Sequence, residues 1–219
     1  MEFFLDTANL DEVREAARFG FIRGVTTNPS LAAKEMIGDL ESYQTAILEI
    51  AQVINGPISV EVTASDADGM IEQAEQIATW HPNVVVKLPS TAEGFRAMHT
   101  VAQAGTPINQ TLCFSVNQAL LGAQAGATYV SPFVGRLDDE GQVGMEVVAD
   151  IVSIFRKYSI STKVLAASIR HPLHCLEAAK AGADVATVPL KVLMQMTHHP
   201  LTDVGVARFA EDWQAAAKK

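Results

Sequence analysis

The sequence predicts an α/β protein, a single (β/α)8 TIM barrel with an extra C-terminal helix. Three observations predict it. Short apolar runs alternate with amphipathic helical patterns from end to end. No linker, composition shift or low-complexity stretch divides the chain, so residues 1–219 read as one domain. The polar side chains that interrupt the apolar runs fall at their C-terminal ends, which in such a barrel face one common site. With 219 residues, 48% hydrophobic and 19% charged, the chain has the length for a compact barrel and the apolar content for its core. A doubly wound open sheet is the competing arrangement. No G-x-G-x-x-G follows the first strand, which weakens its dinucleotide-binding form.

The candidate strands are Glu2–Asp6, Gly24–Thr27, Ile58–Thr63, Val84–Leu88, Pro107–Leu112, Tyr129–Phe133, Lys163–Ser168 and Val185–Pro189. Helix signals follow each. Asn9-Leu10-Asp11-Glu12 has the pattern of a capping box, with Gly20 to close that helix. Met70, Ala74 and Ile77 form an apolar stripe between strands three and four. Ser90-Thr91-Ala92-Glu93 is a second capping box, followed by the stripe Phe95, Met98 and Ala102 and a stop at Gly105. The tail, residues 202–217, is one more helix, with Val206, Phe209, Ala210 and Trp213 on one face. That face packs on its own barrel or covers a neighbouring subunit.

The fourth strand organises the rest. Val84-Val85-Val86 suits a strand covered on both faces, and Lys87 follows directly. Lysine is almost never buried without a partner, and removal from water favours the neutral amine, the form that attacks carbonyls. The plain alternative is a lysine that snorkels to the surface on its stem. Net charge is −9, with no basic stripe to meet nucleic-acid phosphates. No apolar run approaches the length of a membrane span, and the acidic start is unlike a signal peptide. Cys113 and Cys175 lack C-x-x-C spacing and read as reduced core residues of a cytoplasmic protein.

The strand ends carry a dense polar set: Asp6; Thr26, Thr27, Asn28 and Ser30; Glu61 and Thr63; Lys87; Asn109 and Thr111; Ser131 and Arg136; Ser168 and Arg170. Each has a dull explanation: Asp6 a helix cap, Asn28 the turn before Pro29, Arg136 a surface pair with Asp138. Their concentration at one end of apolar strands argues otherwise, because buried polar groups cost free energy unless used or paired. Arg136 and Arg170 suit a fork for a phosphate, with Ser168 as donor. Asp6 and Glu61 suit proton transfer, Lys87 suits imine formation, and Thr111 with Glu61 suits holding a water.

The segments Phe4-Leu5-Asp6-Thr7-Ala8, Gly24-Val25-Thr26-Thr27-Asn28-Pro29-Ser30, Val84-Val85-Val86-Lys87-Leu88-Pro89, Asn109-Gln110-Thr111-Leu112, Ser131-Pro132-Phe133-Val134-Gly135-Arg136 and Val164-Leu165-Ala166-Ala167-Ser168-Ile169-Arg170 carry a family resemblance. Over nearly its whole length the chain resembles the transaldolases, in the short subfamily that also contains fructose-6-phosphate aldolase. The resemblance implies a Schiff-base transferase of carbohydrate metabolism, in the pentose phosphate pathway, with no cofactor and no metal. It implies Lys87 as the Schiff-base lysine, Asp6 as the group that handles the proton of the hydroxyl at the cleaved bond, and Glu61 with Thr111 on a catalytic water. It implies Asn28, Asn109 and Ser131 on donor hydroxyls, and Arg136, Ser168 and Arg170 on the phosphate; Thr27 and Phe133 complete the substrate-binding set. The implied partners are phosphorylated keto and aldo sugars and further copies of the chain, a homo-oligomer of rings with a decamer as the candidate size. The aldolase branch carries glutamine and tyrosine where Glu61 and Phe133 stand here, which points to transfer and away from release of dihydroxyacetone. His171, His174 and Glu177 have a spacing that suits a metal, but Pro172 starts a helix there and no further ligand is evident. Met194 and Met196 read as packing.

Overall fold

A computed structural model describes residues 1–217. Among these residues eight parallel strands close into a barrel in sequence order, β1-β2-β3-β4-β5-β6-β7-β8. The strands are β1 (Glu2–Asp6), β2 (Ile22–Thr26), β3 (Ile58–Glu61), β4 (Val84–Pro89), β5 (Ile108–Cys113), β6 (Tyr129–Pro132), β7 (Lys163–Ala166) and β8 (Val185–Val188). Around them lie α1 (Leu10–Ala17), α2 (Pro29–Lys34), α3 (Leu40–Val53), α4 (Ala67–Ala78), α5 (Ala92–Gln103), α6 (Val116–Gln124), α7 (Val134–Asp139), α8 (Gly144–Lys157), α9 (Pro172–Ala181) and α10 (Leu190–Met196), followed by α11 (Pro200–Ala217). Pairing of β8 with β1 excludes the open doubly wound sheet.

Side-chain alternation along the strands builds two cores. Outward residues such as Leu5, Val25, Val60, Val84, Val86, Leu88 and Val130 pack under the helices. Inward residues Phe4, Val85, Tyr129, Leu165 and Val185 fill the barrel itself. The valine run of β4 is therefore buried on both faces, as expected for a parallel sheet covered by helices. Gly24 faces inward on β2, where a Cβ would stand 2.9 Å from the Phe4 ring; the aromatic takes the room a side chain would need. Two residues beyond that apolar layer, the same strands present Asp6, Lys87, Ser131, Ala167 and Thr187. The barrel thus changes from oil to polar groups within one pleat repeat.

Several helix signals hold and one is displaced. Asn9 caps α1, its side chain accepting from the backbone N–H groups of Asp11 and Glu12. Glu12 does not complete a capping box; its carboxylate takes the Thr7 hydroxyl instead. The cap of α5 is Thr91 rather than Ser90, with the Gly94 N–H at 3.0 Å, and Glu93 reaches the Ala67 N–H. Met70, Ala74 and Ile77 are buried on α4, and Gly20 and Gly105 take positive φ just past their helices. Both cysteines are free and buried, and burial pushes their thiols up to about 11.

The tail helix begins slightly earlier than residue 202 and does not pack on its own barrel. No described residue of α11 is buried, and Phe209 and Trp213 are 74% and 78% exposed. Among the described residues no helix is long and apolar enough to cross a membrane.

Candidate active site

The parallel register sets Glu61 beside Lys87 and Lys87 beside Asn109 on three consecutive strands. All three point inward at the polar level. Lys87 is only 3% exposed, yet its ammonium is fully engaged on two sides. Its Nζ lies 3.0 Å from Glu61 Oε2 and donates to the Thr27 carbonyl at 2.8 Å. Burial of a charge demands such partners, since a lone ammonium in this place would be prohibitively costly.

Asp6 stands across the barrel on β1. It accepts from the Thr26 hydroxyl at 2.7 Å, and that hydroxyl also meets Thr187 at 2.6 Å. Burial pushes the Asp6 carboxyl above its ordinary value of 3.8; the nearby Lys87 cation and the Thr26 hydrogen bond oppose the rise without cancelling it. Asn109 donates to Ser59 Oγ at 3.0 Å and accepts from the Ser131 hydroxyl at 2.6 Å. These bonds fix the orientation of the amide.

A cavity of about 420 Å³ opens above this floor at the C-terminal end of the strands. Asp6, Asn28, Lys87, Asn109, Ser131, Phe133, Arg136, Ser168 and Arg170 line it. Asn28 does two things: it caps α2 by accepting from the Leu31 N–H at 2.9 Å, and it faces the cavity. Arg136 is not on β6 but on α7, with its guanidinium 5.3 Å from the Phe133 ring centroid; Phe114 packs against the same ring in a T-shaped arrangement. Ser168 and Arg170 lie past the end of β7. Gly135 makes the close approach of α7 to that loop possible, because a Cβ there would meet Ser168 O at 2.4 Å and Arg170 Nε at 2.5 Å. Ser168 itself holds a left-handed φ of 57°. Arg136 does not pair with Asp138, and Arg170 donates to Asp139 at 2.7 Å.

Four predicted residues fall outside the cavity wall. Thr27 turns its side chain the other way, to Tyr43 and to the Ser59 carbonyl at 2.8 Å; only its own carbonyl serves the site, on Lys87. Thr26, one residue earlier, is the threonine that faces inward, on Asp6. Glu61 sits behind Lys87 and touches it directly. Thr111 is buried with no hydrogen-bond partner for its hydroxyl. Thr63 lies beyond β3 and hands its N–H to Gln73 at 2.8 Å. Sequence reasoning also missed Lys34, which lines the cavity from α2. Pro29 at the first position of that helix puts Ser30 and Lys34 one turn apart on one face, and that spacing was the available signal.

Residues 3–219 match the family model described as transaldolase/fructose-6-phosphate aldolase. The chain belongs to the transaldolase/fructose-6-phosphate aldolase family. It is 56% identical over 219 residues to a protein named probable transaldolase from a Thermoanaerobacter species, with each chain covered in full. It is 57% identical over 215 residues to a probable transaldolase of a Roseiflexus species, covering 98% of each, and 55% identical over the full length to one from Dehalococcoides mccartyi. In this family member the polar floor, the cavity and the two arginines form one continuous surface from Lys87 to the rim.

The strained member of the floor is Asp6, and its shift has a measurable consequence. Its native carboxyl titrates above the unfolded value, so the folded state holds the proton more tightly. That stabilisation is complete below 3.8 and is lost as pH rises through the native value, leaving an ionised group that burdens the fold at neutral pH. Asp6→Asn should therefore raise Tm at neutral pH, with the gain shrinking on acidification. A variant that melts lower than wild type at neutral pH would contradict this account.

Proposed function

We propose that this chain works as a transaldolase on sugar phosphates, moving a dihydroxyacetone unit through a Schiff base on Lys87. The overall reaction converts sedoheptulose 7-phosphate and glyceraldehyde 3-phosphate to erythrose 4-phosphate and fructose 6-phosphate. The observation that carries the proposal is the buried Lys87 in contact with Glu61 at the floor of a cavity whose rim holds two arginines. Glu61 takes a proton along the 3.0 Å contact and uncovers the amine. The amine attacks the keto carbon, the carbinolamine loses water, and the resulting iminium becomes an electron sink. Asp6 then takes the proton of the hydroxyl next to the breaking C–C bond, the aldehyde phosphate departs, and the bonding pair settles on the enamine carbon. An incoming aldehyde reverses these steps, and water releases the new ketose.

The orphaned Thr111 hydroxyl supports a water between it and Glu61, since a buried hydroxyl without a partner loses its hydrogen-bonding free energy. Asn109, Ser131 and Asn28 offer a ring of donors and acceptors to the hydroxyls of the dihydroxyacetone unit. Glu61 and Phe133 favour transfer: neither supplies a neutral amide or a phenol to the carbanion. The free, buried thiols suit a reducing, cytoplasmic setting.

The test combines trapping with product analysis. Borohydride with fructose 6-phosphate should add mass to the wild type and not to Lys87→Arg, whose guanidinium stays protonated. Turnover of fructose 6-phosphate should depend on erythrose 4-phosphate. Label on Lys163 or Lys191 would refute the assignment of the nucleophile. Free dihydroxyacetone as the main product, acceptor present, would favour the aldolase reading.

Arg136 and Arg170, with Ser168, are assigned to the substrate phosphate. A remote group of this kind contributes alike to substrate and transition state. Arg136→Ala should raise KM for fructose 6-phosphate by about ten- to a hundredfold, the worth of one charge-assisted contact, and leave unphosphorylated dihydroxyacetone nearly unaffected. Equal effects on both would remove Arg136 from this role.

The unpacked α11 supports a homo-oligomer, with rings building to a decamer. Leu201, Val204, Phe209 and Trp213 are all exposed, an apolar surface that a neighbouring copy would cover. Removing the residues after Val204 should lower the mass seen by light scattering. A full-length chain that already runs as a monomer would end this idea.

A further inference from the structure

His174 is buried at 5% exposure on α9, behind the two arginines and outside the cavity. Both of its ring nitrogens are in use. Nδ1 accepts from the backbone N–H of Arg170 at 3.3 Å. Nε2 lies 3.0 Å from Asp138 Oδ2. A nitrogen that accepts carries no proton, so the other nitrogen donates, and the ring is fixed as one neutral tautomer. The other Asp138 oxygen accepts from the Gly144 N–H at 2.9 Å, tying the same carboxylate to the start of α8.

The geometry points to His174 as a positioning residue of the phosphate site: it clamps the Arg170 backbone to α7, the helix that carries Arg136, and so sets the spacing of the two guanidiniums. The inference rests on the phosphate reading given above. Two links cross the same gap. The Arg170 backbone reaches α7 through His174 and Asp138, and the Arg170 side chain reaches it through Asp139. Gly135 lets the loop and helix approach closely enough for both. Burial, and then the charge of His171, whose tilted ring lies 3.8 Å away, hold the imidazole below its ordinary range; Asp138 works against them without prevailing. A leucine would fill this place with less desolvation, so the two directed bonds need a reason beyond packing. The loop they hold supplies one: Ser168 in its left-handed conformation and Arg170 both belong to it.

Three His174 variants separate the contacts. His174→Leu removes both bonds. His174→Gln keeps a donor for Asp138 but withdraws the acceptor from Arg170. His174→Asn keeps an acceptor near the Nδ1 position. KM and kcat are measured for fructose 6-phosphate and for unphosphorylated dihydroxyacetone, with Arg170→Ala in parallel. We expect His174→Leu and His174→Gln to raise KM for the phosphorylated ketose about tenfold, the usual worth of one directed hydrogen bond, with kcat within about threefold. Their values for dihydroxyacetone should match wild type, and His174→Asn, which keeps the Arg170 end of the clamp but not the Asp138 end, should show the same loss as His174→Gln. Equal losses on both substrates, or no change on either, would overturn the inference. Should the leucine variant fail to fold, the glutamine variant decides by the same criterion. If Arg170→Ala also fails to distinguish the two substrates, the phosphate reading falls. If Arg170→Ala distinguishes them and His174→Gln does not, only the positioning role falls.

Discussion

Everything in this barrel is arranged around one ammonium removed from water. Lys87 and Glu61 form an ion pair inside the closed sheet, at a depth where each charge alone would be intolerable. The pair does not come free: its desolvation is offset by the apolar layer one pleat below, by the Thr27 carbonyl and by hydrogen bonds among its neighbours. The β3–β4 register is what places the two residues abreast. A one-residue slip of β4 would send Lys87 to the helix layer and bring Val86 inward. Closure of the barrel forbids that slip, so the fold itself guarantees the contact.

The two ends of the site are built by different means. The floor stands on strands, whose side-chain directions are fixed by the pleat and whose rotamers are locked by neighbours such as Ser59 and Thr187. The rim stands on a short helix and a loop past the strand ends, where the chain can turn through Ser168 and press against Gly135. Covalent chemistry tolerates little displacement of the reacting atoms, and a strand serves that need. Phosphate recognition, the role proposed for the rim, needs a few cations at a set distance from that floor. The loop supplies reach, and its ties to α7 supply the rigidity it would otherwise lack.

What could be read from the sequence follows from this division. Strands and helices alternate so regularly that the barrel and all eight strands were legible, and residues two apart on one strand, such as Val85 and Lys87, shared a fate. Thr27 was misread because two adjacent threonines both look polar enough for the site. Only the closed register shows that Thr26 faces Asp6 while Thr27 bonds Tyr43. Arg136 lies just past the predicted strand Tyr129–Phe133, and nothing in Pro132 and Phe133 announces that α7 begins immediately afterwards. The direct Glu61–Lys87 contact was hidden, since a carboxylate and an amine on neighbouring strands have no local sequence signature. The role of the tail was left open, because an apolar helical face reads the same whether it packs on its own barrel or on another chain. The exposed α11 excludes the first of those.

The raised Asp6 carboxyl joins the cost of the site to its use. After C–C cleavage in the proposed cycle Asp6 holds a proton taken from the donor hydroxyl, and the carbanion on Lys87 waits for an aldehyde. That proton must then return to the oxygen of the new hydroxyl. An ordinary exposed carboxyl would lose it to solvent at neutral pH; burial slows that loss by making the ionised form costly. Other acids nearby are poor donors. The Tyr43 phenol is pushed up to about 12 by burial and is turned away, and Phe133 presents a ring with no hydroxyl. With few groups able to protonate carbon and one placed to protonate oxygen, the intermediate survives long enough to meet an acceptor. The desolvation that strains the folded state at Asp6 is, on this reading, the same property that makes the site transfer its fragment and not release it.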